Sequence, residues 1–177
     1  MIAVYLTASR KESEHEIARA LALYAAWDAF GIRTTLEKDA RGKPYFPDSP
    51  YFVSISHTDG VCLAAVSDQP IGADIERIKP RSAGHLEQLA SRFFSPDEAA
   101  AVHADPAEFY RIWTAKESFV KLTGEGFSRS FPSFSVIDSP LAFDSRDVSG
   151  CAVTVCSEMA DKPQYHFVSH QHFNSEV

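Results

Sequence analysis

Two carboxylates stand two positions apart in the segment Gly72-Ala-Asp-Ile-Glu76. Side chains of a strand alternate between its faces, so Asp74 and Glu76 share one face while Ile71, Ala73 and Ile75 take the other. Neighbouring carboxylates repel unless a cation lies between them. Hard cations such as magnesium take oxygen ligands and often add substrate phosphates. The same alternation marks any half-buried strand, so the pair alone leaves a metal site and a wetted strand face both open. A second set lies in Arg111-Ile-Trp-Thr-Ala-Lys-Glu-Ser-Phe-Val-Lys121, where Trp113, Glu117 and Lys121 recur every four residues on one helix face. Glu117 ahead of Lys121 is the favourable order for an ordinary helical ion pair. It is also a carboxylate for a metal followed by a cation for a phosphate, a combination that spreads the charge built up when a phosphoanhydride breaks. A third set is Ser54-Ile-Ser56-His57, with Lys43 upstream in Gly42-Lys-Pro44. A histidine beside hydroxyls can donate to a phosphate and a lysine supplies a point charge. A lone histidine is more often a packing residue. No Ser–His–acid spacing supports serine-hydrolase chemistry, and Gly124-Glu-Gly126 lacks the rest of a phosphate-loop glycine pattern.

The elements that must position these groups follow from periodicity. Ile2, Val4 and Leu6 alternate with Ala3 and Tyr5 and predict a first strand. Ile17, Leu21, Tyr24 and Ala25 predict a helix over Glu14 to Phe30, stopped by Gly31. RGKPYFPDSP reads as a loop. Strands are expected at Val53–Ser56 and Val61–Val66, flanking the turn His57-Thr-Asp-Gly60, and at Ile71–Glu76. Helices are expected at His85–Phe93, Pro96–His103 and Ala107–Leu122, then strands at Phe134–Ile137, Cys151–Cys156 and Tyr165–Ser169. Strands and helices mix without regular βαβ alternation, which gives an α+β fold. Two similar lobes meeting near residue 70 fit this order: an N-terminal lobe over 1–70 and a C-terminal lobe over 71–177.

Composition limits the partners. The 177 residues are 45% hydrophobic and 23% charged, enough to bury a core as one domain or two small lobes. No run reaches the roughly 18 apolar residues a membrane span needs. The first residues lack the basic stretch of a signal peptide. The odd count of 3 cysteines, Cys62, Cys151 and Cys156, has no CxxC spacing, which argues against a disulfide framework and for a reduced, cytoplasmic protein. With 24 acidic against 17 basic residues the formal charge is −7, which argues against coating a nucleic acid. A small phosphorylated ligand held by a local basic cluster remains compatible with it.

The order of the segments adds what each alone lacks. GKPYFP, SISHTDG, PIGADIE, RFFSPDE, WTAKESFVKLTGEG and SFSV, running from about Arg41 to Ile137, closely resemble the Sfp-type 4′-phosphopantetheinyl transferases. The resemblance implies a monomer of two similar α+β lobes, related by a pseudo-twofold, with the active site between them. It implies transfer of 4′-phosphopantetheine from coenzyme A to a serine of an acyl or peptidyl carrier protein, releasing adenosine 3′,5′-bisphosphate. By motif, Asp74, Glu76 and Glu117 would hold Mg²⁺ with the coenzyme A pyrophosphate, and Lys121 would contact the phosphates. Lys43 and His57 would hold the nucleotide end, particularly the 3′-phosphate, near Ser56. Glu98, the last residue of RFFSPDE, matches an acidic position near the metal. Glu117, Glu98 or a metal-bound water would then serve as the base. Arg10, with Lys11 beside it, matches an arginine near the start of a family helix that contacts the nucleotide. Phe127 and Phe131 are candidates for a carrier-docking surface, or for core. Longer members carry an N-terminal stretch before the helix preceding GKP, so the first lobe is expected to be trimmed. A non-catalytic coenzyme A or carrier binder and a magnesium-dependent phosphohydrolase are the alternatives. The small trimeric holo-carrier synthases share the chemistry, but their chains are shorter.

Overall fold

The structure is a computed structural model that describes residues 1–10, 13–126, 129–169 and 173. Strand β1 (Ile2–Ala8) leads into helix α1 (Glu14–Phe30), the two-residue strands β2 (Glu37–Lys38) and β3 (Pro44–Tyr45), and strands β4 (Phe52–Thr58) and β5 (Val61–Ser67). Strand β6 (Ile71–Arg77) opens the second half. It is followed by α2 (Ala83–Phe93), α3 (Pro96–Ala104), α4 (Glu108–Thr123), a single 3₁₀ turn (Phe131–Ser133), and strands β7 (Ala142–Val148), β8 (Cys151–Ser157) and β9 (Gln164–Phe167). The architecture is α+β.

The two halves share a plan. In each, one strand is followed by helical structure and then by two further strands of the same sheet, the β2–β3 pair being an addition in the first half. The sheet orders β4-β5-β1 and β7-β8-β6 correspond, with antiparallel neighbours throughout. The last strand, β9, returns to pair in parallel with β1, so the end of the chain completes the first half's sheet. The two sheets face each other through Ile2, Val4, Leu6 and Leu63 on one side and Ile71, Ala73, Ile75 and Val153 on the other. Helix α1 covers the outer face of the first sheet through Ile17, Leu21 and Ala25, packed on Tyr5, Ala64 and Val66. Helix α4 covers the outer face of the second and joins an aromatic-rich core with α2 and α3. Gly31 closes α1 in the left-handed conformation its φ of +68° requires, donating to Trp27 O at 2.8 Å.

Alternation along β6 therefore turns Gly72, Asp74 and Glu76 toward α4, as the period of 2 predicts. The approach of α4 depends on Gly72: a Cβ there would stand 1.9 Å from Ser118 O and 2.5 Å from Leu122 N. Both are backbone atoms, so relief requires moving the helix. Gly72→Ala is expected to cost roughly 3 kcal/mol of stability in urea denaturation. A loss below about 0.5 kcal/mol would mean that α4 shifts freely.

Three expectations are corrected. RGKPYFPDSP, read as a loop, contains the two-residue strand β3, paired with β2. Phe134–Ile137 forms no strand; its backbone is held by side chains instead, Phe134 O accepting from Lys116 Nζ at 2.5 Å and Val136 N–H donating to Glu98 Oε1 at 2.7 Å. The edge strand β7 was not foreseen, because Asp144, Ser145, Arg146 and Asp147 interrupt the apolar alternation that marks a buried strand. Phe127 and Lys11 lie outside the described residues.

Candidate active site

Strand β4 runs beside β6 without entering its sheet, and hydroxyl side chains take the place of a backbone ladder. Ser54, Ser56 and Thr58, on one face by the strand period, all turn toward β6. Ser54 Oγ accepts from Ala73 N–H at 2.9 Å, Ser56 Oγ donates to Asp74 Oδ1 at 2.7 Å, and Thr58 Oγ1 accepts from Arg77 N–H at 3.3 Å. His57, of opposite parity, points the other way, and its Nδ1 lies 3.2 Å from Glu14 Oε2. The expected place of Ser56 at the nucleotide end is thus modified: its hydroxyl fixes the buried Asp74 carboxylate.

A cleft of about 750 Å³, within the usual size of small-molecule sites, opens between β4, the β2–β3 hairpin and α4. Lys43, Ser56, His57, Glu117 and Lys121 all line it. Its lining is rich in basic side chains, Lys38, Arg41, Lys43, Arg129, His15 and His57, and carries the aromatic rings of Phe93, Trp113 and Phe131. Asp39 builds the hairpin turn that presents Lys43, its Oδ1 accepting from Arg41 N–H at 2.8 Å and from Lys43 N–H at 2.9 Å. Lys43 Nζ reaches across to Leu122 O at 2.5 Å, satisfying a carbonyl in the last turn of α4. Burial draws its ammonium below the usual lysine range.

Asp74 does not itself line the cleft but is tied to it through Lys121, whose Nζ donates to Asp74 Oδ1 at 2.7 Å. Burial first, and then the charge of Asp74, pushes the Glu117 carboxyl up to about 7. The same two causes, in the same order, raise Glu76. Glu76 borders a smaller groove that shares Phe93 and Trp113 with the cleft. Among the described residues, no group of three or more His, Cys, Asp or Glu side chains stands as a ready-made metal site. The donor set still suits a hard divalent cation. Three carboxylate side chains in one electrostatic neighbourhood resist ionising together, and Mg²⁺ binds through one or two carboxylates plus phosphates and water without an all-protein cage.

Two residues fall elsewhere. Glu98 is completely buried away from the cleft, where its carboxylate accepts from Ser95 N–H at 3.0 Å, Lys116 Nζ at 2.6 Å and Val136 N–H at 2.7 Å. Saturated in this way, it caps α3 and pairs with Lys116, which corrects its expected place beside the metal. Arg10 is exposed ahead of α1 and is not among the residues that line the cleft. Sequence reasoning passed over His15, Lys38, Arg41, Phe93 and Arg129. The run Lys38-Asp-Ala-Arg-Gly-Lys43 carried a signal in its clustered charge.

Residues 70–172 match the 4′-phosphopantetheinyl transferase superfamily, and residues 5–67 match the 4′-phosphopantetheinyl transferase N-terminal domain. The chain belongs to the 4′-phosphopantetheinyl transferase superfamily. It is 41% identical over 125 residues to a 4′-phosphopantetheinyl transferase of Bacillus subtilis, covering 67% of this chain and 51% of that protein. It is 42% identical over 101 residues to the 4′-phosphopantetheinyl transferase Sfp of Bacillus subtilis strain 168, covering 54% of this chain and 43% of that protein. It is 33% identical over 124 residues to the 4′-phosphopantetheinyl transferase AcpT of Escherichia coli O157:H7, covering 66% and 63%. The chain spans about half the length of the first two relatives.

Proposed function

We propose that this chain transfers 4′-phosphopantetheine from coenzyme A to a carrier-protein serine in a Mg²⁺-dependent reaction. The observation that carries this reading is one cleft lined by basic, acidic and aromatic side chains together, in a chain of this superfamily. Lys43, His57, Glu117 and Lys121 all line it, and Lys121 pairs with Asp74. A ligand with a pyrophosphate, a nucleotide and a less polar pantetheine arm suits that mixed lining.

Asp74, Glu76 and Glu117 would hold Mg²⁺, which when bound supplies charge neutralisation at the pyrophosphate. Lys121 then turns from Asp74 toward the phosphate oxygens, and Ser56 keeps the Asp74 carboxylate oriented. The carrier serine oxygen forms a bond to the β-phosphorus, and the bond from that phosphorus to the bridging oxygen breaks. Adenosine 3′,5′-bisphosphate carries away the electron pair. Glu117 lines the cleft while Glu98 is buried away from it, which favours Glu117 over Glu98 as the group that takes the serine proton. Phe93, Trp113 and Phe131 keep water from the transferred group. All the residues that line the cleft come from a single chain, which supports action as a monomer. The 3 free, buried cysteines are in keeping with a reducing, cytoplasmic setting. No helix among the described residues is long and apolar enough to cross a membrane.

Lys43→Ala tests the nucleotide end. With its proposed partner on the 3′-phosphate, KM for coenzyme A is expected to rise about tenfold while that for dephospho-coenzyme A stays nearly constant. Equal losses with both donors in steady-state kinetics would remove Lys43 from that contact.

A further inference from the structure

Glu14 opens α1 nearly buried, and its described partners are a backbone amide and an imidazole. Its Oε1 accepts from Gly60 N–H at 2.6 Å and its Oε2 lies 3.2 Å from His57 Nδ1. The carboxylate has little room to move. Gly60 sits in the β4–β5 turn, where its carbonyl accepts from Ser9 N–H at 2.8 Å, and the Cys62 thiol donates to Glu14 O at 3.2 Å. A carboxylate in the first turn is also favoured by the helix dipole. His57, by contrast, is 40% exposed, and an imidazole that open samples several rotamers unless something holds it.

Glu14 Oε2 faces Nδ1, which leaves Nε2 as the other nitrogen of a ring that lines the cleft. His15, the next residue on α1, lines the same cleft. We propose that Glu14 is a positioning residue for anion recognition: it holds His57 by Nδ1–H so that Nε2–H of the doubly protonated ring donates to a phosphate of the bound nucleotide. This rests on the reading that coenzyme A occupies the cleft. A side chain 43 positions away in sequence thereby sets how strongly the cleft grips its ligand.

The test uses adenosine 3′,5′-bisphosphate as the probe, titrated calorimetrically into wild type, Glu14→Gln, His57→Ala and the double variant. Glutamine keeps the shape and an acceptor for Gly60 N–H but loses the charge that holds the ring. Glu14→Gln is expected to weaken the probe roughly tenfold in wild type and less than about twofold in the His57→Ala background. Equal losses in both backgrounds overturn the proposal, because Glu14 would then act independently of His57. A second readout needs no variant to fold. Histidine ¹⁵N spectra of the ligand-free wild type, at a pH where the ring is neutral, are expected to show His57 protonated at Nδ1. An Nε2-protonated ring overturns the assignment. Wild-type protein that binds neither the probe nor coenzyme A overturns the nucleotide reading and this proposal with it. Intact binding with additive losses or the other tautomer overturns the role of Glu14 alone.

Discussion

Glu117→Gln is expected to lower carrier modification by roughly 10²–10⁴-fold and, in the same molecule, to raise the stability of the metal-free protein above pH 7. Both effects come from one side chain. In the fold its carboxyl sits at about 7 against an ordinary 4.5, driven by burial and then by the charge of Asp74. Between those values the folded state holds a proton that the unfolded chain has released. Stability must therefore fall as pH rises through this window, and the loss is complete above 7. The difference in free energy between Glu117→Gln and wild type should be near zero at pH 4.5 and grow to roughly 2–3 kcal/mol by pH 8. Chemical denaturation in EDTA at the two pH values measures it directly. A constant difference across the range would mean that Glu117 ionises normally and is not part of a strained acidic cluster. Added Mg²⁺ should stabilise wild type at pH 8 and leave the variant unchanged, since a ligand stabilises only the state that binds it.

The largest expected effect on folding comes from the neighbouring residue. Lys116 and Glu98 are both fully buried, 2.6 Å apart, with the Phe134 ring 4.1 Å from the ammonium. Burial pulls the lysine down in pKa while Glu98 opposes the shift. Lys116→Met removes one charge and leaves the other without compensation in the core, which costs about 3–5 kcal/mol. For a chain of this size that corresponds to a fall in Tm on the order of 10 °C. Lys116→Met combined with Glu98→Leu should recover much of the loss, because no isolated charge remains. Part of the loss persists, since Val136 N–H and Ser95 N–H lose their acceptor. A single variant that melts with wild type would show that water reaches the pair. The segment Phe131–Val136 hangs on this pair, and Phe131 is a wall of the cleft. Carrier modification should therefore decline in parallel with stability.

The contrast between Glu117 and Lys116 shows how far the sequence could be read. In α4 two stripes of stride four lie side by side: Trp113, Glu117 and Lys121 toward the cleft, Ile112, Lys116 and Val120 into the core. The first stripe was legible because its residue types suit a phosphate and a metal. The second contained its own clue, a lysine among apolar residues, whose partner lies in another helix and cannot be found by local periodicity. Glu98 was misassigned for a related reason. Ser95-Pro-Asp-Glu98 has the spacing of a capping box, and that local signal, not its resemblance to an acidic motif position, describes what the carboxylate does. Asp74 and Glu76 were readable because β6 carries its large apolar residues on one face and the period of 2 leaves no choice of side. Strand β7 was not, since an edge strand needs no apolar face and its charges obscure the alternation. The contact of His57 with Glu14 joins α1 to β4 and exists only after folding brings them together.

The measurement closest to the central claim is the intact mass of an apo acyl carrier protein after incubation with this chain, coenzyme A and Mg²⁺. The account predicts a mass gain of one phosphopantetheine on the carrier, prevented by EDTA and lost with Glu117→Gln. Coenzyme A consumed while every carrier tested stays unmodified would contradict it and favour hydrolysis. Coenzyme A bound, intact and untransferred would contradict it equally, and leave a binding protein in the place of an enzyme.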